Sequence, residues 1–90
     1  MVVHHISYHP TFVSEFKKLS VADQDRAATA EERFLNNPLH PSLRLHPLKG
    51  RLVGFFTLSV TRKVRIIFVR RENGEIVFIS IGHHDIYQLL

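Results

Sequence analysis

The second half of the chain alternates between apolar and polar positions in a way that predicts a sheet. Gly54 to Val60 puts Phe56, Leu58 and Val60 on one parity and Phe55, Thr57 and Ser59 on the other. Two denser apolar runs follow, Val64-Arg65-Ile66-Ile67-Phe68-Val69 and Ile76-Val77-Phe78-Ile79-Ser80-Ile81, separated by a polar stretch containing Asn73-Gly74. Asn-Gly between such runs is a β-hairpin signal, because both residues tolerate positive φ. Thr61-Arg62 makes the preceding turn. The last run is apolar on both parities and is expected to be central and buried on both sides.

The first half changes period. Val2 to Tyr8 has Val2, Ile6 and Tyr8 on one parity and suits a first strand. Pro10 and Thr11 then open a helix, since Pro is tolerated in a first turn. Phe12, Phe16 and Leu19 recur at i, i+4 and i+7 as one buried stripe, with Glu15, Lys17 and Lys18 facing outward. Ser20 followed by Asp23 is an N-cap signature for a second helix, from about Val21 to Leu35. Its apolar side is Ala27, Ala30, Phe34 and Leu35, and Asn36-Asn37-Pro38 stops it. Pro38 to Arg51 is a loop by composition. The order β-α-α-β-β-β predicts an α+β domain over residues 1–90, with an antiparallel sheet and a helical hairpin packed on one face.

Composition narrows the function classes. An apolar fraction of 44% argues against disorder. The absence of cysteine excludes disulfides, a thiol nucleophile and Cys-type zinc sites, and fits a reducing compartment. No apolar run reaches the ~20 residues of a membrane span, and the first residues lack a signal-peptide pattern. His4, His5 and His9 cluster, but adjacent His4 and His5 on a strand point to opposite faces, which disfavours a shared metal.

Charge changes the picture more. The net charge is +4, and no acidic residue stands between Glu32 and Glu72. That interval holds Arg33, Arg44, Lys49, Arg51, Arg62, Lys63, Arg65, Arg70 and Arg71. Acidic residues concentrate in the helical hairpin, so a polyanion would meet the loop-and-sheet side.

Several residues there are suited to chemistry. Arg65 interrupts an apolar strand and needs either an acidic partner, such as Asp85 or a helix carboxylate, or a bound anion. Lys63 shares its parity. His46 and Lys49 lie in a Pro- and Gly-bounded loop, as turn residues or as functional groups. His83 and His84 follow Gly82 at a strand end, so one points to the open face and one away. Tyr87 either packs in the core or meets a nucleotide. RNA cleavage without a metal needs a base for the 2′-OH, cations for the phosphate and an acid for the 5′-oxygen. A His pair with Arg and Lys meets those needs. The acids do not cluster as a Mg²⁺ site would require.

The segments His46-Pro47-Leu48-Lys49-Gly50, Gly54-Phe55-Phe56-Thr57-Leu58-Ser59-Val60, Val64-Arg65-Ile66-Ile67-Phe68 and Ile81-Gly82-His83-His84-Asp85-Ile86-Tyr87 resemble the RelE/ParE toxin superfamily, closest to its YafQ-like and RelE-like mRNA interferases. The resemblance covers nearly the whole chain. It implies a bacterial, cytoplasmic toxin of a type II toxin–antitoxin system that cleaves mRNA on the ribosome without a cofactor or metal. Its protein partner would be a cognate antitoxin in a hetero-oligomer. Carried over by position, His84, His46, Arg65 and Tyr87 are the catalytic candidates. Lys63, Lys49, Arg51, Arg62 and His83 are the RNA- and phosphate-binding candidates. The chain differs from YafQ-like members at Ser59, where they carry a second His, and at Lys63, where they carry Asp. Phe56 and Leu58 stand where RelE-like members place lysines. The superfamily's ParE branch inhibits DNA gyrase instead, so a non-catalytic gyrase inhibitor or a member that only binds its antitoxin is the alternative.

Overall fold

The computed structural model describes residues 1–89, and the side chains of all of these but His84, Gln88 and Leu89. Strand β1 (His5–Tyr8) leads into helix α1 (Pro10–Lys17). The His9 ring caps α1, its Nδ1 accepting from the Thr11 N–H at 3.1 Å. A local capping role thus accounts for one of the clustered histidines. Helix α2 (Val21–Asn36) starts where expected, with the Ser20 hydroxyl oxygen accepting from the Asp23 N–H at 3.1 Å. It ends before Pro38, which disfavours helical backbone at Asn37.

The loop expected from Pro38 to Arg51 contains more order than its composition suggests. A 3₁₀ turn at Pro41–Leu43 buries Leu43. A two-residue strand, β2 (His46–Pro47), then pairs with β3 (Phe55–Ser59). β4 (Arg65–Arg70) and β5 (Glu75–Gly82) complete a five-stranded sheet of order β1-β5-β4-β3-β2. The β3-β4-β5 meander is antiparallel, as the alternation predicted. β1 joins it in parallel with β5, so the sheet is mixed. The two strands are far apart in sequence and connected through the helices, which supplies the long crossover a parallel pair requires. Among the described residues no helix is long and apolar enough to cross a membrane.

Packing follows the two faces of the meander. Leu58, Val64, Ile66 and Phe68 join Phe12, Ala27, Ala30 and Phe34 in one buried cluster beneath the helices. Phe34 stacks obliquely on Phe68 with centroids 5.1 Å apart, and Phe68 and Phe78 are 6.3 Å apart. Truncating a ring at the centre of such a cluster costs about 3–5 kcal/mol, a large share of a small domain's stability.

The mixed parity of β5 has a specific cause. Phe68 pairs with Phe78, whereas Ile67 pairs with Ser80, so Ile79 is an extra residue and the strand bulges there. Ile76 and Phe78 before the bulge and Ile81 after it all join the helix-side core. The bulge also overturns one expectation. Lys17 and Lys18 are exposed, but Glu15 turns inward. Its Oε1 accepts from the buried Ser80 hydroxyl at 2.6 Å and from the Ile81 N–H at 3.2 Å. Donors that the interrupted ladder leaves in the interior need an acceptor, and Glu15 supplies it.

The Asn73-Gly74 turn forms as predicted, with φ of 60° and 76°. The Gly74 carbonyl accepts from the His4 N–H at 3.0 Å, which ties the segment before β1 to the hairpin tip.

Candidate functional site

Residues directly opposite one another in a ladder share a face. His46, Thr57, Ile67 and Ser80 form one such row across β2, β3, β4 and β5. Ser59, Arg65 and Gly82 form another, two residues further along, a spacing of about 7 Å. Apart from Ser80, whose hydroxyl turns to Glu15 of α1 at the bulge, these rows lie on the face opposite the main helix-packed core, and their chemistry is different. Thr57 and Ser59 are buried there, whereas Phe56 and Leu58 point into the core side. The polar groups that β3 contributes to that face are therefore these two hydroxyls, Thr57 fully covered and Ser59 nearly so.

Arg65 is half-buried, and its Nη1 donates to the Ser59 hydroxyl oxygen directly across the ladder. Among the described residues no carboxylate takes the place of the acidic partner considered from the sequence. Among the described residues, the salt bridge formed is Arg26–Asp23, an exposed pair within α2. Arg65 therefore holds its charge at the surface of the sheet with a neutral anchor.

Beside Arg65 the chain turns at the end of β5. Gly82, its ladder partner, gives way to His83, and the Ile86 N–H donates to the His83 carbonyl at 3.1 Å. Gly82 leaves room for Ile86 to pack against this turn. A Cβ there would lie 2.6 Å from Cγ2 of the buried Ile86. The turn brings His83 to Arg62, Lys63 and Arg65, and these four side chains line a concavity of about 250 Å³. Three cations around one small hollow repel each other, and a bound anion relieves the repulsion. A second concavity of about 260 Å³ shares Arg62 and Arg65 and extends past Thr61 and Ser59 to Arg44.

Of the sequence candidates, Lys63, Arg65, Arg62 and His83 are thus brought together. His46 and Tyr87 belong to the neighbouring row: His46 is paired with Thr57, and the Tyr87 hydroxyl lies 3.4 Å from the Thr57 hydroxyl. Arg51 donates to the Tyr87 carbonyl at 3.2 Å, which fastens the loop before β3 to the C-terminal turn. Lys49 is exposed at the start of that loop's 3₁₀ turn. The His84 side chain lies outside the described residues. Among the described residues, no three His, Asp or Glu side chains gather as a metal-binding group would.

Ser59 as the anchor of Arg65 is not apparent from residue types alone. The β3–β4 register carries that signal: a short turn after an alternating strand sets Ser59 opposite Arg65. A larger concavity of about 450 Å³ opens on the other side of the sheet, between the helices. It is lined mainly by apolar groups including Tyr8, Phe12, Phe16 and Ala27. Tyr8 donates from its hydroxyl to Glu31 at that rim. Burial and then the Glu31 carboxylate raise the Tyr8 pKa to about 12.

No family model and no curated protein sequence matches the chain. Solved structures do match, and they show its fold. YafQ from E. coli superposes with a TM-score of 0.76 at 20% identity, over 91% of this chain and 94% of that one. A YoeB/ParE toxin from Agrobacterium tumefaciens gives 0.75 at 13% identity, over 90% and 99%. The E. coli DinJ-YafQ toxin–antitoxin complex gives 0.73 at 20% identity, over 90% and 92%. The chain has the α+β fold of the YafQ, YoeB, RelE and ParE toxins.

Proposed function

We propose that this protein is the toxin of a type II toxin–antitoxin system and a metal-independent endoribonuclease that cleaves mRNA, with the ribosome as the setting. The observation that carries this reading is the convergence of Arg62, Lys63, Arg65 and His83 on one hollow of the open sheet face. The likeness to YafQ and YoeB/ParE structures supports it. In this mechanism an imidazole removes the proton from a 2′-OH, which attacks the adjacent phosphorus. Arg65 and Lys63 offset the charge that develops on the phosphoryl oxygens. A second imidazole protonates the departing 5′-oxygen. His46 and the His83-His84 pair are the acid–base candidates. Of the pair, His83 has the described position beside the cations. Tyr87 orients the nucleotide from the C-terminal turn, while Arg62, Lys49 and Arg51 hold flanking phosphates. A cognate antitoxin is the protein partner, in line with the likeness to YafQ of the DinJ-YafQ toxin–antitoxin complex, and an acidic segment of it would cover this basic face.

One observation favours a second reading, in which the chain binds without cutting, as a gyrase inhibitor or solely as an antitoxin partner. The polar groups of β3 on the face away from the helices are only the buried hydroxyls of Thr57 and Ser59, with no imidazole or ammonium.

Expression in E. coli followed by primer extension on cellular mRNA, alongside a gyrase supercoiling assay, separates the two. The endoribonuclease reading predicts growth arrest with new 5′ ends inside translated regions. Arrest with intact mRNA and inhibited supercoiling would overturn it.

A further inference from the structure

The basic hollow at Arg65 does not end there. The concavity that reaches Arg44 also includes Ser42, Ser59 and Val60, and those three residues line a third concavity of about 320 Å³ against α2. The three hollows adjoin one another through these shared residues, in a series from His83 past Arg65 and Arg44 to Arg33. The far end is built. Arg33 Nη1 donates to the Ser42 hydroxyl at 2.9 Å, and that hydroxyl is 2.8 Å from His40 Nδ1, which also accepts from the Ser42 N–H. This network fixes the Arg33 guanidinium through Nη1, and among the described residues its other N–H groups meet no acceptor and are open to a ligand. Arg44 follows in left-handed backbone, φ 47° and ψ 43°, with its N–H donating to the Pro41 carbonyl. An arginine there is uncommon.

We infer that this trough is an extended phosphodiester track. Arg44 and Arg33 form a second subsite that grips the backbone of single-stranded RNA beyond the phosphate held at Arg65. The inference rests on the proposed nuclease reading and deepens it. Guanidinium forks suit phosphate oxygens, and Ser42 adds a neutral polar wall between the two arginines. At its α2 end Asp25 and Arg26 line the hollow together, so that end adds no net positive charge for a further phosphate. A single-stranded ligand fits better than a duplex. Its backbone is flexible enough to follow a depression that crosses from the sheet to a helix.

The test compares ligand lengths. Two 2′-O-methyl RNAs, which lack the attacking hydroxyl, serve as probes: a dinucleotide followed by NMR titration and a hexanucleotide followed by fluorescence anisotropy. The double variant R33Q/R44Q should bind the hexanucleotide on the order of tenfold more weakly. Its log-affinity against log-salt slope should be shallower by about 0.7 for each phosphate that is no longer neutralised. It should bind the dinucleotide as the wild type does, which also verifies its fold. Arg44→Gln alone should give an intermediate loss. Arg65→Gln should weaken both ligands. If R33Q/R44Q leaves hexanucleotide binding unchanged, or weakens both ligands equally, while Arg65→Gln weakens both, the extended track is overturned and the central site stands. If the wild type binds neither RNA, the track is overturned, and the nuclease reading then rests on cleavage of mRNA engaged on ribosomes.

Discussion

The Arg65 guanidinium donates to the Ser59 hydroxyl oxygen directly across the β3–β4 ladder, and no carboxylate among the described residues pairs with it. A half-buried cation held by a neutral group keeps its charge for something else. Removing a preorganised donor of this kind from a transition state costs about 10²–10³ in rate. Arg65→Ala should therefore abolish growth arrest while its thermal unfolding stays close to wild type. Ser59→Ala should lower RNA cleavage by roughly tenfold through loss of the anchor. The double variant should be no worse than Arg65→Ala alone, because Ser59 acts through Arg65. Additive losses in cleavage rate would give Ser59 an independent role.

Glu15 supports the site from behind. Its carboxylate receives the Ser80 hydroxyl and the Ile81 N–H at the point where β5 bulges, one residue before Gly82 and its turn into His83. Glu15→Ala strands two interior donors, at about 1–3 kcal/mol each. Urea unfolding should show a lowered midpoint with an unchanged m-value. Glu15→Gln, which retains an acceptor oxygen, should lose less. Equal losses in the two variants would mean that something other than hydrogen bonding is at stake.

Gly74 is constrained twice. Its φ is +76°, and an added Cβ would lie 2.9 Å from the Val2 carbonyl oxygen and 2.5 Å from the His4 ring. Left-handed backbone costs a non-glycine residue about 1–2 kcal/mol, and the close approach to the Val2 backbone adds to that. Gly74→Ala should destabilise the protein by at least that much and loosen the segment before β1. Hydrogen exchange at the His4 amide, which donates to the Gly74 carbonyl, should accelerate. Unchanged protection there would contradict this account of the turn.

The Tyr8–Glu31 hydrogen bond predicts a pH dependence at the alkaline end. The folded-state pKa is raised, from 10.0 to about 12, by burial first and then by Glu31. A raised pKa favours the protonated phenol in the folded state. Its stabilising contribution is therefore complete below pH ~10 and is lost as pH rises towards 12. Phenolate absorbance in wild type minus Tyr8→Phe should titrate near 12, and the variant should lack this part of the alkaline loss of stability. A difference spectrum titrating near 10 would rule the hydrogen bond out.

Much of this architecture was legible in local patterns. The Ser20–Asp23 cap, the Phe12 stripe, the β3 alternation and the Asn73-Gly74 turn each depend on residues close in sequence, where periodicity and capping chemistry act directly. The parallel pairing of β1 with β5 was not legible, because it joins distant segments and has no local signature. The inward turn of Glu15 was hidden for a related reason. It sits at the border of the helix's apolar stripe, and its partners at Ser80 and Ile81 exist only because of the bulge at Ile79. For the site, the interval without acidic residues located the basic face. The register of β3 with β4 then decided that Ser59 meets Arg65. The tight turn after Gly82 decided that His83 joins Arg62, Lys63 and Arg65. Arg33 and Arg44 join the same depression only through the fold of the 37–45 loop, whose composition suggested no order.

The proposed function requires the basic hollow at Arg65 to perform RNA transesterification without a metal. The most direct test incubates purified protein with mRNA engaged on ribosomes, and in parallel with free RNA in the presence of EDTA. The RNA termini are then identified by mass spectrometry. Attack by a 2′-OH predicts fragments ending in 2′,3′-cyclic phosphate with 5′-hydroxyl partners, and Arg65→Ala should not produce them. Fragments with 5′-phosphate ends, or no cleavage in either setting, would contradict the account.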